Sequence, residues 1–279
     1  MSVNALHRKI SDLTLGYLTL GAQTSPRDAI YAAAEVGFRA VGPRVSGRYP
    51  NDGWPSLDSD PSALVDLKQC AAGSNLIISS VTGYFMSPRA QLDHLLANVT
   101  AAVALGAPKI IQGCFDPDRE RVVSMLRDYA SVSQQAGVKI AIEFMPMSEI
   151  KTIQDGLDVI EASGAENVGL LIDTLHLARS GANASDIVRL DPSRVFLTQL
   201  CDASRQLGTE RTLFDEAMSG RMYIGDGKLD LADVVRALPP EAELELETPV
   251  VADASLSTVE RARLAAEAAK RFFDRNFGD

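Results

Sequence analysis

KIAIEF (139–144), VGLLIDTLHL (168–177), VFLTQL (195–200) and ELELET (243–248) are short apolar runs, and each carries a residue able to bind a cation. Those residues are Glu143, Asp173 with His176, Gln199, and Glu247. Each run reads as a buried strand. A carboxylate at the end of such a strand costs free energy unless something pairs with it. A divalent cation shared by all the strand ends removes that cost, so the pattern points to an enzyme.

Outward from these runs the chain alternates between two periods. β-rich segments at 13–20, 39–45, 76–84 and 109–113 precede those at 139–145, 168–174, 195–200 and 243–248. Helical patterns fill the intervals. SPRDAIYAAAEVG offers Ser25 as N-cap, Pro26 in the first turn and Gly37 as the stop. PSALVDLKQCAAG and RAQLDHLLANVTAAVALG repeat that plan, and STVERARLAAEAAKRFFDRNFG closes the chain. Strands joined by helical crossovers run parallel. Eight such pairs in 279 residues predict an α/β fold, a (β/α)8 TIM barrel, read as a single domain over residues 1–279. An open doubly wound sheet is the alternative, but its G-x-G-x-x-G fingerprint is missing after the first strand. Two loops rich in Gly and Asp, 46–62 and 202–227, follow strands two and seven. Both belong to the C-terminal rim, where barrel active sites sit.

Composition agrees. Hydrophobic residues make up 46% and aromatics only 6%, the vocabulary of helices packed on parallel strands. A formal charge of −10 repels nucleic-acid backbones and anionic membranes, so neither is an expected partner. Cys70, Cys114 and Cys201 are odd in number and widely spaced, which reads as small buried thiols in a reducing compartment. MSVNALHRKISD has no apolar core or cleavage pattern, and no apolar run approaches the ~18 residues of a membrane span, so the expected location is cytoplasmic.

Taken singly, the strand-end residues have plainer readings. His176 could hydrogen-bond a loop, ELELE could be a half-exposed edge strand, and Gln199 could be an ordinary polar residue. Taken together on consecutive strands of a barrel, they converge on one mouth. Other residues belong to the same rim. Arg44 ends strand two, Gln112 strand four and Thr82 strand three, while Arg205, Arg211 and Arg221 lie in the loop after strand seven. Arginine forks suit carboxylate, phosphate or hydroxyl groups. Trp54, the only tryptophan, could close over a polyol or pack within its loop.

IAIEFMP, VGLLIDTLHL, VFLTQLCDA, MYIGDGKLDLADVVRAL and ELELETP resemble the motifs of the xylose isomerase-like barrel superfamily of sugar-phosphate isomerases and epimerases. That superfamily also includes inosose dehydratases, 3-dehydroshikimate dehydratases and apurinic endonucleases. The resemblance implies one divalent metal held by Glu143, Asp173, Gln199 and Glu247, with His176 beside it. It also implies a substrate contact from Arg221; Arg44 and Gln112 are further candidates by their strand-end positions alone. Many members carry His where this chain has Gln199. A neutral amide oxygen there favours Mg²⁺ or Mn²⁺ and weakens a preference for Zn²⁺.

The expected chemistry is proton transfer next to a carbonyl through an enediolate. Glu143 and Glu247 serve as base and acid and His176 polarises an oxygen, on a polyol or keto-sugar substrate. Loss of a β-hydroxyl instead gives a dehydratase, the alternative that Gln199 keeps open. A nuclease is disfavoured, since only His7, His94 and His176 are present and the charge is −10. A non-catalytic ligand-binding barrel remains a third class. Homo-oligomerisation through the outer helices is compatible with the sequence but not specified by it.

Overall fold

A computed structural model describes residues 6–57 and 60–278. Residues 1–5, on which part of the leader reading rests, lie outside the described residues, as do 58–59 in the 46–62 loop and 279. In chain order the first half runs β1 (Leu13–Gly16), α1 (Tyr17–Leu20), α2 (Pro26–Val36), β2 (Ala40–Gly42), α3 (Pro61–Gly73), β3 (Ile77–Ile78), β4 (Val81–Thr82), α4 (Leu92–Leu105), β5 (Lys109–Gln112) and α5 (Arg119–Gln135). The second half runs β6 (Lys139–Glu143), α6 (Ile153–Ser163), β7 (Val168–Asp173), α7 (Thr174–Arg179), α8 (Ala184–Val188), β8 (Val195–Leu200), α9 (Leu213–Ser219), α10 (Leu231–Ala237), β9 (Leu244–Leu246) and α11 (Thr258–Phe277).

All pairings are parallel, in the order β3-β2-β1-β9-β8-β7-β6-β5-β4, so the strands wrap into the expected barrel with helices outside. The helix punctuation works as read. Ser25 Oγ accepts from the Asp28 backbone N–H, and Gly37 closes α2 in the left-handed region at φ 91°. Among the described residues no helix is long and apolar enough to cross a membrane.

Strand three departs from its reading as one segment. It is split into β3, which pairs with β2, and β4, which pairs with β5. The ring closes through a single bridge between Arg44 and Thr82. The break falls at Ser79–Ser80. Ser79 Oγ meets Thr14 Oγ1 at 3.3 Å while Ser80 Oγ donates to Glu245 Oε2 at 3.3 Å. Both hydroxyls therefore turn into the lumen, which adjacent residues of a regular strand cannot do. Strand one also stops early. Its second half, Tyr17–Leu20, is a buried helical turn whose Thr19 Oγ1 donates to Leu246 O and accepts from Thr248 N. With every residue from Leu13 to Leu20 buried, alternation carried no warning.

Two apolar layers hold the barrel. Ile110, Ile140, Ile142, Leu170 and Ile172 face the helices, while Ile111, Ala141, Leu171 and Leu197 form a small separate cluster in the lumen. The rest of the lumen is polar. Glu245 is buried there, so ELELE is not the half-exposed edge strand it resembled. Gly16 and Gly42 leave space for it. A Cβ on Gly42 would sit 2.5 Å from Glu245 Oε2 and 2.7 Å from Ser80 Oγ.

Gly42→Ala should therefore lower stability by roughly 1–3 kcal/mol through overpacking. Gly73→Ala, at a helix end where a Cβ meets nothing within 4 Å, should be neutral or gain about 0.4–1 kcal/mol. Urea denaturation of both variants checks the contrast.

Candidate active site

Strand parity places the site. Ala141, Leu171 and Leu197 face the lumen, so Glu143, Asp173 and Gln199, two residues further on, face it one layer nearer the C-terminal mouth. Glu247 follows Glu245 in the same way, one residue past β9. Asp173 and Gln199 are directly paired across β7 and β8.

The D-x-x-H spacing has a local cause. Asp173 is the N-cap of α7, and its Oδ1 accepts from the backbone N–H groups of Leu175 (2.7 Å) and His176 (3.1 Å). The helix then returns the imidazole over the mouth, with Nε2 3.6 Å from Glu143 Oε1. Ligand atoms of Glu143, Asp173 and His176 all lie within 4.8 Å of one another, a spacing that could hold one cation.

Arg221 was read as a substrate contact and lies deeper than that reading implies. It is buried and bridges two carboxylates, donating to Asp173 Oδ2 and lying 2.8 Å from Glu247 Oε2. Its Nε is held by Ala217 O at 2.9 Å. Gln199 completes the set. Its Nε2 donates to Glu245 Oε1 at 2.7 Å and Glu247 Oε1 at 3.0 Å, while its own Oε1 is buried without a partner. An acceptor left free in this way, beside Glu247, suits donation to a cation.

The protonation pattern follows from burial. Desolvation, then the charges of Glu247 and Asp173, push the Glu143 carboxyl well above the usual carboxylate range. Burial likewise raises Glu247 to about 7 and Glu245 to about 8. Burial lowers His176 to about 4, so it is neutral. For Asp173 burial acts upward, but Arg221 and His176 outweigh it and hold the group below its ordinary value.

A cavity of about 810 Å³, counted out to its open mouth, lies above this cluster. Glu143, His176, Arg221 and Glu247 line it, with Arg44 and Thr82 on the β2–β4 side. Gln112 does not. Its Nε2 donates to the carbonyls of Gly113 (2.8 Å) and Tyr84 (3.3 Å), which turns the amide into the barrel wall. Trp54 packs under the Arg44 guanidinium at 4.7 Å and does not line the cavity. Arg205 is exposed.

The sequence reading missed Arg48, Tyr17, the stacked Phe85–Phe115 pair and α9, whose Phe214, Ala217 and Met218 roof the cavity. α9 is pinned by Arg179, which forks onto both oxygens of Glu216 at 2.7 Å. The T-x-x-D capping box at Thr212–Asp215 was the available sign of that helix. Asp202, in the segment after Gln199, has no part in the cavity. It accepts from the N–H groups of Gly225, Gly227 and Leu229 and so shapes the Gly-Asp-Gly turn.

Fold and cluster together define a class: a parallel barrel with buried carboxylates and an imidazole gathered at its C-terminal mouth. The chain belongs to the xylose isomerase-like TIM barrel family, whose profile matches residues 30–274. It is 32% identical over 82 residues to the inosose isomerase of Halalkalibacterium halodurans, a stretch covering 29% of each chain. The alignment thus spans less than a third of that relative's length. Solved structures share the fold at low identity. A zinc-bound IolI protein superposes with TM-score 0.77 at 17% identity, covering 96% of this chain and 99% of that one. The D-psicose 3-epimerase of Clostridium cellulolyticum gives TM-score 0.70 at 16% identity, covering 95% and 98%. The probable 3-DHS dehydratase AsbF of Bacillus anthracis gives 0.70 at 14%, covering 91% and 97%.

A pH dependence follows. The unfolded chain gives up the Glu245 proton near 4.5, the folded chain near 8. Between those values the folded state binds more protons, so stability falls as pH rises, by roughly 1.4 kcal/mol per unit for this one group. The contribution is full below about 4.5 and gone above about 8. Urea titrations in EDTA from pH 5 to 9 should show that fall, and Glu245→Gln should reduce its slope, leaving the part due to Glu143 and Glu247.

Proposed function

We propose that this protein is a divalent-metal-dependent isomerase or epimerase of a small polyhydroxylated carbonyl compound. The observation that carries the reading is the convergence of Glu143, Asp173, His176 and Glu247 at one mouth, with Gln199 Oε1 left free among them. The likeness to an inosose isomerase and a ketose epimerase supports it.

Glu143, Asp173, Gln199 and Glu247 are the proposed ligands. Their oxygen-rich set suits Mg²⁺ or Mn²⁺, and Zn²⁺ is compatible, as in the zinc-bound neighbour. When bound, the cation supplies Lewis-acid polarisation of the substrate carbonyl. The chain's own groups handle the protons. Glu143 takes the α-proton, and its desolvated carboxylate is a stronger base than a solvated one. Glu247, on the far side of the cluster, returns a proton from the other face. His176 is neutral and can donate a hydrogen bond to a substrate oxygen. Arg221 holds Asp173 charged and orients both Asp173 and Glu247. Arg44 lines the cavity and is proposed as a substrate contact.

A dehydratase is the second reading. It is favoured by Gln199, which removes one imidazole from the set, and by the likeness to the probable 3-DHS dehydratase. The same base begins both reactions. They part at the next step, which either returns the proton or expels a β-hydroxyl.

Glu143→Gln and Glu247→Gln should each slow exchange of the substrate α-proton with solvent by about 10²–10⁴-fold. NMR in D₂O with ketoses and inososes reads this directly, and EDTA should stop the exchange until Mn²⁺ is restored. Exchange retained in both variants sinks the two-carboxylate scheme.

A further inference from the structure

Three arginines line the cavity, and two of them are satisfied. Arg221 is held by Asp173 and Glu247, and Arg44 by Asp52 at 3.1 Å. Arg48 is different. Asp52 organises its loop, accepting from the backbone N–H groups of Arg48 (2.7 Å) and Trp54 (3.0 Å). The Arg48 side chain reaches back over the mouth, where Nη2 donates to Tyr17 Oη at 2.8 Å and Nη1 to Met218 Sδ at 3.1 Å. Its Nε is sealed from solvent without a partner. Among the described residues no carboxylate lies within ion-pair distance of it. A phenol and a thioether are weak neutral acceptors for a guanidinium. The half-buried guanidinium also feels the charges of Glu247 and Glu143 at longer range, so what it lacks is a directly paired anion.

The wall around it is apolar. Phe85 lies under the Arg48 guanidinium at 5.7 Å and stacks on Phe115 with ring centroids 6.1 Å apart. Met145, Met147 and Phe214 continue that surface. Hydroxyls set against these particular side chains would find no partner, so this wall suits the least hydroxylated edge of a substrate.

We propose that the substrate carries a carboxylate that pairs with Arg48, and an apolar edge that lies against Phe85, Phe115 and the methionines. The substrate class is then a carboxylated hydroxy-carbonyl compound. One guanidinium without a directly paired carboxylate matches one monoanion, whereas a phosphate dianion asks for more donors than Arg44 and Arg221, already paired, leave available. The inference rests on the isomerase or dehydratase reading for where the reacting end of the substrate lies.

The test measures binding to Mn²⁺-loaded protein by calorimetry, with cyclohexanecarboxylate, cyclohexylmethanol and cyclohexyl phosphate as probes. The acid should bind at least about tenfold more tightly than the alcohol, as expected for a charge-assisted pair. Arg48→Gln should erase that preference and Arg48→Lys should keep part of it, with both variants folded by circular dichroism. Equal binding of acid and alcohol overturns the proposal. So does an acid preference that survives Arg48→Gln, which would place the carboxylate on the metal, or a tighter fit for the phosphate. Mn²⁺ affinity is read separately by electron paramagnetic resonance. A protein that binds no Mn²⁺ yet shows the Arg48-dependent preference refutes the metal reading and supports this one.

Discussion

Glu143, Asp173 and Glu247 stand close together out of water, and much of the surrounding structure answers their mutual repulsion. Arg221 is the main answer within the chain. It comes from the segment after α9, so the long excursion between β8 and α10 must fold back into the barrel mouth to deliver it. That requirement explains the supports around it. Ala217 O fixes the guanidinium from α9, Arg179 clamps α9 through Glu216, and Asp202 ties down the turn that follows. Removing a partner from such a buried set leaves an uncompensated charge, at a cost of about 3–5 kcal/mol. The roof of the cavity is therefore held in place by the electrostatics of its floor.

Much of this was legible in the sequence. The alternation of β-rich and helical runs gave the barrel, because helical crossovers leave parallel strands little other choice. Ser25, Pro26 and Gly37 bounded α2 where the structure bounds it. The two-residue steps Ala141 to Glu143 and Leu171 to Asp173 carried the lumen-facing parity, and Asp173 with His176 is an N-cap spacing. The missed features depend on distant partners. Ser79 and Ser80 break strand three because they bond residues 65 and 165 positions away. Arg48 has no periodic signature, since its direction is set by Asp52 within an irregular loop. Gln112 looked like a mouth residue and turned to backbone carbonyls that composition does not display.

Glu245 links these two kinds of residue. Its position is written in the ELELE alternation, yet its meaning depends on Gly16, Gly42, Ser80 and Gln199, all remote in sequence. The two glycines remove the side chains that would fill the lumen, and the carboxyl occupies that space. It then takes one N–H of the Gln199 amide while Glu247 takes the other. An amide with both N–H groups committed in this way can present only its oxygen to whatever lies above. The apparent irregularity of a glutamate inside a barrel is thus tied to the orientation of the least typical residue at the mouth.

The split third strand has a mechanical consequence. β6 to β9, which carry the cluster, are joined by ladders of three or four residue pairs, with one register shift between β7 and β8 at Leu170–Leu171, whereas closure of the ring depends on two-residue strands and the Arg44–Thr82 bridge. Local opening costs least where the fewest hydrogen bonds must break. The seam, beside Arg44 and Arg48 and away from the carboxylates, is therefore where opening of the cylinder costs least. The barrel is built as a clasped ring, with one arc held by the longer ladders and one clasp held by few pairs.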